Sequence, residues 1–223
     1  GVQTCALPIS AIFEELELGV MYEQYAHADT LWAQLRYMFT WQKHKRFVES
    51  LSNYFEAITV ASSEEKQLFH TLMPSSKLKL KIVPNGVDVS QYIDYHDNPA
   101  SNSLIYTGAF SFWSNYEAMV WFVGKVFPLI RERKPDAQLT ITGNHKDFPL
   151  PDETGVIRTG FVDDIRPLIA QSAVSLAPLQ TGGGTRLKIL EAMALKTPVV
   201  ATSKGAQGLD AIPMQDCVIE DDP

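Results

Sequence analysis

Cysteine and long apolar runs are scarce in this sequence, and their scarcity excludes several classes of protein. The 223 residues contain two cysteines, Cys5 and Cys217, which are too far apart to form a disulfide framework or a metal-binding spacing. This usage is typical of a reducing compartment, so we expect a cytoplasmic location. The longest apolar runs, such as 118–127, are interrupted and too short to cross a bilayer.

An excess of positive charge is also missing. The chain has 19 Lys and Arg residues against 26 Asp and Glu residues, and its net charge at pH 7 is −7. Proteins that bind nucleic acid generally carry a basic face for the phosphate backbone, so we do not expect a nucleic-acid partner. A single local site can still bind a small ligand that carries phosphate.

Metal-ligand spacings are absent from the sequence as well. The five histidines, His27, His44, His70, His96 and His145, do not combine with cysteines or carboxylates at ligand spacing. We therefore expect no metal and no other cofactor. None of these histidines is identifiable as a catalytic base, and the catalytic residues stay unassigned.

The chain divides into regions of different pattern. Residues 1–9 resemble the translation of a sequencing adapter and are left out of the fold prediction. Residues 10–95 form a first region of helices and short strands, and the polar stretch 96–103 is predicted to be a linker. Residues 104–223 alternate strands with helices, which predicts an α/β fold with a parallel sheet. Both ends look cut, so we expect the parent protein to be longer.

Two local features mark the first region. The spacing of large apolar residues predicts a helix over 28–54. Its basic cluster, 43–46, is interpreted as a solvated helix face, and contact with an anionic lipid surface is the alternative. Ser62, with Glu65 three residues later, predicts a capping box at the start of a second helix.

The segment 180–194 carries the most informative chemistry. Glycines 182–184 lie between a predicted strand and a predicted helix, so a phosphate could reach backbone N–H groups at the helix N-terminus. Arg186 and Lys188 in the first turn are unfavourable to the helix dipole, and a bound pyrophosphate would reverse that effect. The alternative is a flexible loop that is capped by Thr185, with both cations solvated.

Glu191 lies at the edge of the predicted apolar stripe of this helix. That stripe consists of Leu187, Leu190, Met193 and Ala194. A partly desolvated carboxylate needs a partner, and two ribose hydroxyls would supply two hydrogen bonds. A salt bridge to Lys188 is the alternative, and the spacing alone does not choose between them.

Four motifs stand in order along the chain, at 82–88, 104–109, 160–163 and 182–202. Residues 182–202 look like the donor-binding signature of GT-B-fold glycosyltransferases of family 4, the group 1 type, and 82–88 are similar to the end of the N-terminal domain in that family. Residues 104–109 match the first strand of its C-terminal domain, and 160–163 match the loop beside the nucleotide base. The motifs occur in the family's order, and the resemblance runs from about residue 12 to the end.

The resemblance implies a GT-B-like fold of two Rossmann-like domains that face each other across a cleft. Residues 10–95 would be the C-terminal part of the acceptor domain, and 104–223 would be the nucleotide-sugar-binding domain, truncated at its end. Within the second domain, Glu191 would hold the ribose and 161–162 would border the base. Thr185, Arg186 and Lys188 would lie near the pyrophosphate, together with the glycine backbone. The implied donor-binding residues are Gly108, Phe161, Val162, Gly183, Gly184, Thr185, Arg186, Lys188, Glu191 and Gly205.

The sequence departs from the family pattern in two places. Glu191 would be the second glutamate of an E-x7-E motif, and the first would fall at Gly183, where no carboxylate is present. The stretch 110–115 also lacks the arginine and lysine that often follow the first strand of the C-terminal domain. We hypothesise that Arg186 and Lys188 substitute for them.

The resemblance implies a hexosyltransferase (EC 2.4) that moves a sugar from a nucleoside-diphosphate sugar to an acceptor hydroxyl, with retention. The acceptor would be a glycan or a lipid-linked precursor in polysaccharide or glycoconjugate synthesis, with peripheral contact at the inner membrane face. The alternative is a nucleotide-binding fragment without turnover, because the acceptor domain is incomplete. A dinucleotide oxidoreductase is disfavoured, since no G-x-G-x-x-G motif opens the helix after a first strand.

Overall fold

The protein is described by a computed structural model that covers residues 12–13, 22, 30–51, 54–93, 95, 98–144, 148–183 and 186–223. The predicted adapter segment, 1–9, lies outside these residues. The described chain forms two compact units. One unit contains the residues up to Pro84 together with Gly183, and the other contains 85–182 and 186–223.

The first unit is built on a three-stranded parallel sheet in the order β1-β2-β3. Its elements are β1 (Ile12–Phe13), α1 (Leu31–Leu51), β2 (Ala57–Val60), α2 (Ser63–Leu72) and β3 (Leu80–Ile82). The core of this unit includes Val48, Ile58 and Phe69, which are almost fully buried. The helix expected over 28–54 is present as α1 within the described residues.

The start of α2 confirms the predicted capping box, with one change. The Ser62 hydroxyl accepts the amide of Glu65 at 3.1 Å, as the motif requires. The Glu65 carboxylate accepts the amide of Ala61 at 2.8 Å, one residue before the N-cap. Two amides at this end of the helix therefore have side-chain partners.

The second unit contains a six-stranded sheet in which every pairing is parallel. Its strands are β4 (Ala100–Thr107), β5 (Gln138–Thr142), β6 (Val156–Gly160), β7 (Ser172–Ala177), β8 (Val199–Ala201) and β9 (Val218–Ile219). The spatial order is β6-β5-β4-β7-β8-β9, the arrangement of a dinucleotide-binding Rossmann sheet. The chain reverses its direction of winding between β4 and β7. The parallel pairing of all six strands confirms the predicted α/β class.

Helices cover both faces of this sheet. They are the 3₁₀ helix Val89–Tyr92, α3 (Trp113–Trp121), the π-helical segment Phe122–Val126, α4 (Phe127–Arg133), α5 (Arg166–Ala170) and α6 (Leu187–Ala194). Neighbouring residues of β4 show the two-sided burial, because Ile105 packs with α5 and α6 while Tyr106 packs with α3 and α4. Both side chains are 0% exposed, as expected for a parallel sheet between two helical layers.

The boundary between the units differs from the predicted linker at 96–103. Strand β4 begins at Ala100, whose amide donates to the Gln171 carbonyl at 2.8 Å. The register then shifts between Ala100 and Leu104, and Asn102 has a positive φ of 58°. This irregular, polar strand start has low strand propensity, so the sequence pattern resembles a loop. Residues 85–93, which were predicted to lie in the first region, belong to the second unit.

Within the part of the chain that the structure describes, no helix is long and apolar enough to cross a membrane. The same residues contain no group of three or more histidine, cysteine, aspartate or glutamate side chains placed to hold a metal ion.

Candidate functional site

The candidate site lies where the winding of the second sheet reverses. Strand β4 ends at Thr107 and is followed by Gly108, and its neighbour β7 ends at Ala177, before the glycine-rich segment. In open α/β sheets, ligands bind beyond the carboxyl ends of the strands at this reversal. The loops after β4 and β7 therefore form the walls of the expected crevice.

The backbone is closely packed at the end of β4. A Cβ atom on Gly108 would lie 3.1 Å from the Asn115 amide group and 3.1 Å from the Lys188 Nζ atom. Gly143, after β5, has a φ of +109°, and a Cβ atom there would lie 2.0 Å from the Gly108 carbonyl oxygen. Glycine at these positions lets two loops and a lysine side chain meet at one point.

Lys188 reaches from α6 to the loop after β4. Its Nζ atom donates to Asn115 Oδ1 at 3.1 Å and lies 4.0 Å from the centroid of the Tyr106 ring. The Tyr106 hydroxyl donates to the same Asn115 oxygen at 2.6 Å, and Asn115 Nδ2 donates to the Ala109 carbonyl at 2.8 Å. This network brings a cation to the stretch where the sequence lacks the family's arginine and lysine.

Burial determines the ionisation of this lysine. The Lys188 residue as a whole is partly exposed, but desolvation of its ammonium group lowers the pKa to about 7. The positive charge of Arg186 lowers the pKa further, and the negative charge of Glu191 opposes the change. An anion in the crevice would favour the charged form of Lys188, because opposite charges stabilise each other most where water is excluded.

Arg186 folds back onto the glycine-rich loop. Its side chain is buried, and Nη2 donates to the Gly182 carbonyl at 2.8 Å. Arg186 is the N-cap residue of α6, which begins at Leu187, so it precedes the first turn in which the sequence pattern had placed it. The predicted cap Thr185, with Gly184, lies outside the described residues.

Helix α3 contacts the residues at the start of the glycine-rich loop. The Thr181 hydroxyl donates to Glu117 Oε2 at 2.5 Å. Gly182 has a φ of +95°, and a Cβ atom there would lie 3.0 Å from the Ser114 side chain. The sequence did not identify Glu117, because this contact joins residues that are 64 positions apart.

Glu191 lies beside the buried face of α6. The buried residues of this helix are Ile189 and Ala192, whereas Leu187 is 45% exposed. The buried face of α6 is therefore rotated about the helix axis relative to the predicted apolar stripe. Desolvation raises the pKa of Glu191, and the Tyr92 hydroxyl, which donates to Oε1 at 3.3 Å, opposes this shift. Within the described residues no ion pair joins Glu191 to Lys188, so the salt-bridge alternative is not observed.

The remaining predicted residues lie at the carboxyl edge of the same sheet. Phe161 and Val162 follow β6, with Phe161 76% exposed and Val162 partly buried. Gly205 follows β8, and a Cβ atom there would lie 1.9 Å from the Ala177 carbonyl oxygen. Gly205 therefore has a packing role at the end of β7, while its predicted contact with a ligand stays a prediction.

Trp113 is the first residue of α3. Its side chain is 64% exposed, and its ring centroid lies 5.1 Å from that of Tyr116. The ring is therefore exposed at the start of α3 and contacts Tyr116 on one side.

A family comparison agrees with this geometry. A profile of the family described as glycosyl transferases group 1 matches residues 101–222, more than half of the chain. The chain belongs to this family. The match runs from the second residue of β4 past the end of β9 and includes the glycine-rich loop and helix α6.

Individual relatives are more distant. The "Uncharacterized 44.6 kDa protein in cps region" of Klebsiella pneumoniae is 25% identical over 189 residues, which are 79% of this chain and 49% of that protein. The chain thus spans about half the length of the curated relative it matches.

Two solved structures show the fold. HepE from Anabaena, in complex with UDP-glucose, matches with a TM-score of 0.59 and 17% identity over 89% of this chain and 54% of its own. WaaG, a glycosyltransferase involved in lipopolysaccharide biosynthesis, matches with a TM-score of 0.63 and 14% identity over 86% and 56%. The fold is therefore that of GT-B glycosyltransferases.

Proposed function

We propose that the parent protein is a glycosyltransferase that moves a sugar from a nucleoside-diphosphate sugar to an acceptor hydroxyl, and that this chain carries the donor-binding half. The observation that carries the proposal is the placement of Lys188, held by Asn115 beside Gly108 at the winding reversal. Arg186 follows the neighbouring strand β7 and donates to the carbonyl of Gly182 in the glycine-rich segment. HepE, which was solved with UDP-glucose, has the same fold and supports a nucleotide-sugar donor.

These groups suit the chemistry of a diphosphate leaving group. Sugar transfer breaks the bond between the anomeric carbon and the diphosphate, and negative charge grows on the departing phosphate oxygen. Preorganised cations and backbone N–H groups stabilise such charge without needing to reorganise. Lys188 and Arg186 would supply the charge, and the N-terminus of α6 would supply its amides and dipole. This arrangement does not require a metal ion.

Glu191 would hold the ribose. A carboxylate accepts two hydrogen bonds, and a nucleotide presents two adjacent ribose hydroxyls. Among the described residues, Tyr92 donates to Oε1, and no hydrogen bond reaches Oε2. Phe161 and Val162 would border the base, with the aromatic ring of Phe161 exposed for stacking.

Transfer of a hexose with retention, as in family 4, is part of the proposal and rests on the sequence resemblance. The acceptor we propose is a glycan or lipid-linked precursor in polysaccharide or glycoconjugate synthesis, at the cytoplasmic face of the inner membrane. WaaG, with its role in lipopolysaccharide biosynthesis, supports this acceptor class. A second candidate is a nucleotide-binding fragment without turnover, which the half-length match to the curated relative favours for this chain alone.

Calorimetric titration of the chain with UDP, GDP, ADP and NAD tests the donor site. We expect one nucleoside diphosphate to bind with micromolar affinity, and Glu191→Ala to weaken it about tenfold, as for a lost hydrogen bond to a charged group. Glu132→Ala, an exposed change on α4, is the matched control and should leave the affinity unchanged. Preference for NAD would instead support an oxidoreductase.

The hypothesis that Arg186 and Lys188 replace the missing family cations has its own test. Arg186→Ala should weaken binding of the nucleoside diphosphate by at least about tenfold, because it removes a charge-assisted contact. The corresponding nucleoside without phosphates should bind the variant and the wild type equally. An affinity for the diphosphate that stays within about twofold would exclude Arg186 from the diphosphate site.

A further inference from the structure

One contact of the proposed donor site comes from the segment that enters the second unit. Tyr92 ends the 3₁₀ helix Val89–Tyr92, and its hydroxyl donates to Glu191 Oε1 at 3.3 Å. These residues are 99 positions apart in the chain, and both belong to the second unit. The Tyr92 ring packs against the core cluster that includes Ile189 and Ala192 on α6. The hydroxyl is therefore presented to Glu191 from a fixed position.

The conformation of this segment is set by local contacts. Asp88 caps the 3₁₀ helix, because its Oδ1 accepts the Ser90 amide at 3.1 Å and the Ser90 hydroxyl at 2.6 Å. Its Oδ2 accepts the Gln91 side-chain amide at 3.1 Å. The carboxylate of Asp88 thus engages three donors within one turn, and Tyr92 follows directly.

A second set of contacts ties the same segment to the loop after β6. Arg166 Nη1 donates to the Gln91 carbonyl at 2.9 Å, and its other nitrogens bond both carboxylate oxygens of Asp164 at 2.8 and 3.0 Å. The Tyr95 hydroxyl donates to Asp164 Oδ2 at 2.9 Å, and the Arg166 guanidinium lies 5.2 Å from the Tyr95 ring centroid. Gln91, Tyr95, Asp164 and Arg166 thus form one hydrogen-bonded network, called the clasp below. Its member Asp164 lies three residues after Phe161 in the sequence.

We propose that Tyr92 is a positioning residue of the donor site, which orients the Glu191 carboxylate so that it can accept both hydroxyls of a ribose. This inference rests on the proposed function. A free carboxylate on a helix surface samples several rotamers, and a hydrogen bond to one oxygen selects among them. With Oε1 held by Tyr92, Oε2 and the second lone pair of Oε1 remain for the ribose. The clasp connects the segment that ends at Tyr92 to the loop after β6, and that loop would border the base.

The test compares a ribonucleotide with its dideoxy analogue. The probe is whichever of UDP, GDP and ADP binds the wild-type chain best, titrated beside its 2′,3′-dideoxy form. We expect the wild type to prefer the ribose form by about tenfold or more, and Tyr92→Phe to reduce this preference by about fivefold while leaving the dideoxy affinity unchanged. Tyr116→Phe is the matched control, because it removes the hydroxyl of a tyrosine on α3 that donates to the Pro149 carbonyl, and it should change neither affinity.

A pH profile provides a second readout. The Tyr92 hydrogen bond lowers the pKa of Glu191, so its loss in Tyr92→Phe should move the acid limb of the ribose preference to higher pH. The charged groups that act on this pair are Lys188 on α6, Asp164 in the loop after β6 and Arg166 at the start of α5. A merely structural role of Tyr92 would weaken both ligands equally and leave the acid limb in place.

The outcomes separate this inference from the proposed function. A wild-type chain that binds a nucleoside diphosphate with a ribose preference, together with an unchanged preference in Tyr92→Phe, overturns the role of Tyr92 and leaves the donor site standing. Equal losses for both ligands in Tyr92→Phe overturn it as well. A folded wild-type chain that binds none of the three diphosphates overturns the proposed function, and this inference with it.

Discussion

Lys188 and Tyr106 come from opposite sides of the winding reversal and meet at the end of β4. The ammonium nitrogen of the lysine lies 4.0 Å from the centroid of the tyrosine ring, and both side chains donate to Asn115 Oδ1. The ring face attracts the cation, while burial disfavours the charge. Burial dominates, and the pKa of Lys188 falls to about 7.

This pKa predicts that nucleotide binding is coupled to proton uptake. At pH 8 the lysine of the free protein is mostly neutral, and a diphosphate beside it would restore its charge. Binding of the nucleoside diphosphate should therefore take up about one proton at pH 8 and much less at pH 6. Calorimetry in two buffers of different ionisation enthalpy measures this number. An observed enthalpy that is independent of the buffer at pH 8 would place the diphosphate away from Lys188.

The same group should make the stability of the free protein depend on pH. Between the folded pKa of about 7 and the ordinary value of 10.5, the unfolded chain binds the Lys188 proton and the folded chain releases it. The free energy of unfolding contributed by this group must then rise with pH across that window. Urea unfolding at pH 7.0 and 8.5 should show that Lys188→Met loses this rise relative to the wild type. A wild type and variant with parallel pH profiles would contradict the burial of the ammonium group.

The contact between Gly143 and Gly108 predicts graded effects of alanine at three glycines. At Gly143 a methyl group meets both a positive φ and a carbonyl oxygen 2.0 Å away, so Gly143→Ala should cost about 2–4 kcal/mol. Gly160 has a φ of +73° and open space around it, so Gly160→Ala should cost only about 1 kcal/mol. Gly86, with neither feature, should tolerate alanine within about 0.5 kcal/mol.

Urea unfolding of the three variants measures these differences. If Gly143→Ala costs no more than Gly160→Ala, the loops after β4 and β5 are not packed as closely as the structure shows. The nucleotide affinity of the folded Gly143→Ala variant is a useful addition, because a displaced Gly108 would also move the partners of Lys188.

The capping box at α2 predicts a large difference between two adjacent serines. The Ser62 hydroxyl is buried and satisfies the amide of Glu65, so Ser62→Ala should destabilise the protein by about 1–2 kcal/mol. The Ser63 hydroxyl donates to Glu64 Oε2 on the exposed surface, so Ser63→Ala should stay within about 0.5 kcal/mol. Chemical denaturation of both variants checks the ratio. Similar costs for the two would show that the cap does not hold the helix.

The sequence predicted these features unequally, and the separation between partners explains why. The Ser62 cap, the glycine-rich loop and the parallel sheet depend on residues close together in the chain, and local chemistry was sufficient to predict them. Asn115 and Tyr92 contact Lys188 and Glu191 across 73 and 99 positions, so only the folded sheet brings them together. The strand start at Ala100 was missed because its neighbours are polar and its pairing with β7 is irregular.

The end of helix α6 contains a lysine in a backbone conformation that favours glycine. Lys196 has a φ of 60°, its amide donates to the Met193 carbonyl, and the Thr197 amide donates to Ala192 at 2.9 Å. This pair of hydrogen bonds is the Schellman arrangement, in which glycine usually follows the C-cap. Because the Lys196 side chain is exposed, removing it sacrifices little packing.

Lys196→Gly should therefore stabilise the protein by about 1 kcal/mol. Glycine removes the strain of the left-handed backbone conformation, and this gain exceeds the cost of a more flexible unfolded chain. The matched control is Lys134→Gly, at the C-cap of α4, where φ is −137° and no such strain exists. That variant should be neutral or less stable, since glycine there only increases the entropy of the unfolded chain. Urea unfolding of both variants measures the contrast. If Lys196→Gly is no more stable than the wild type, the positive φ carries no cost, and the C-terminal turn of α6 tolerates lysine as readily as glycine.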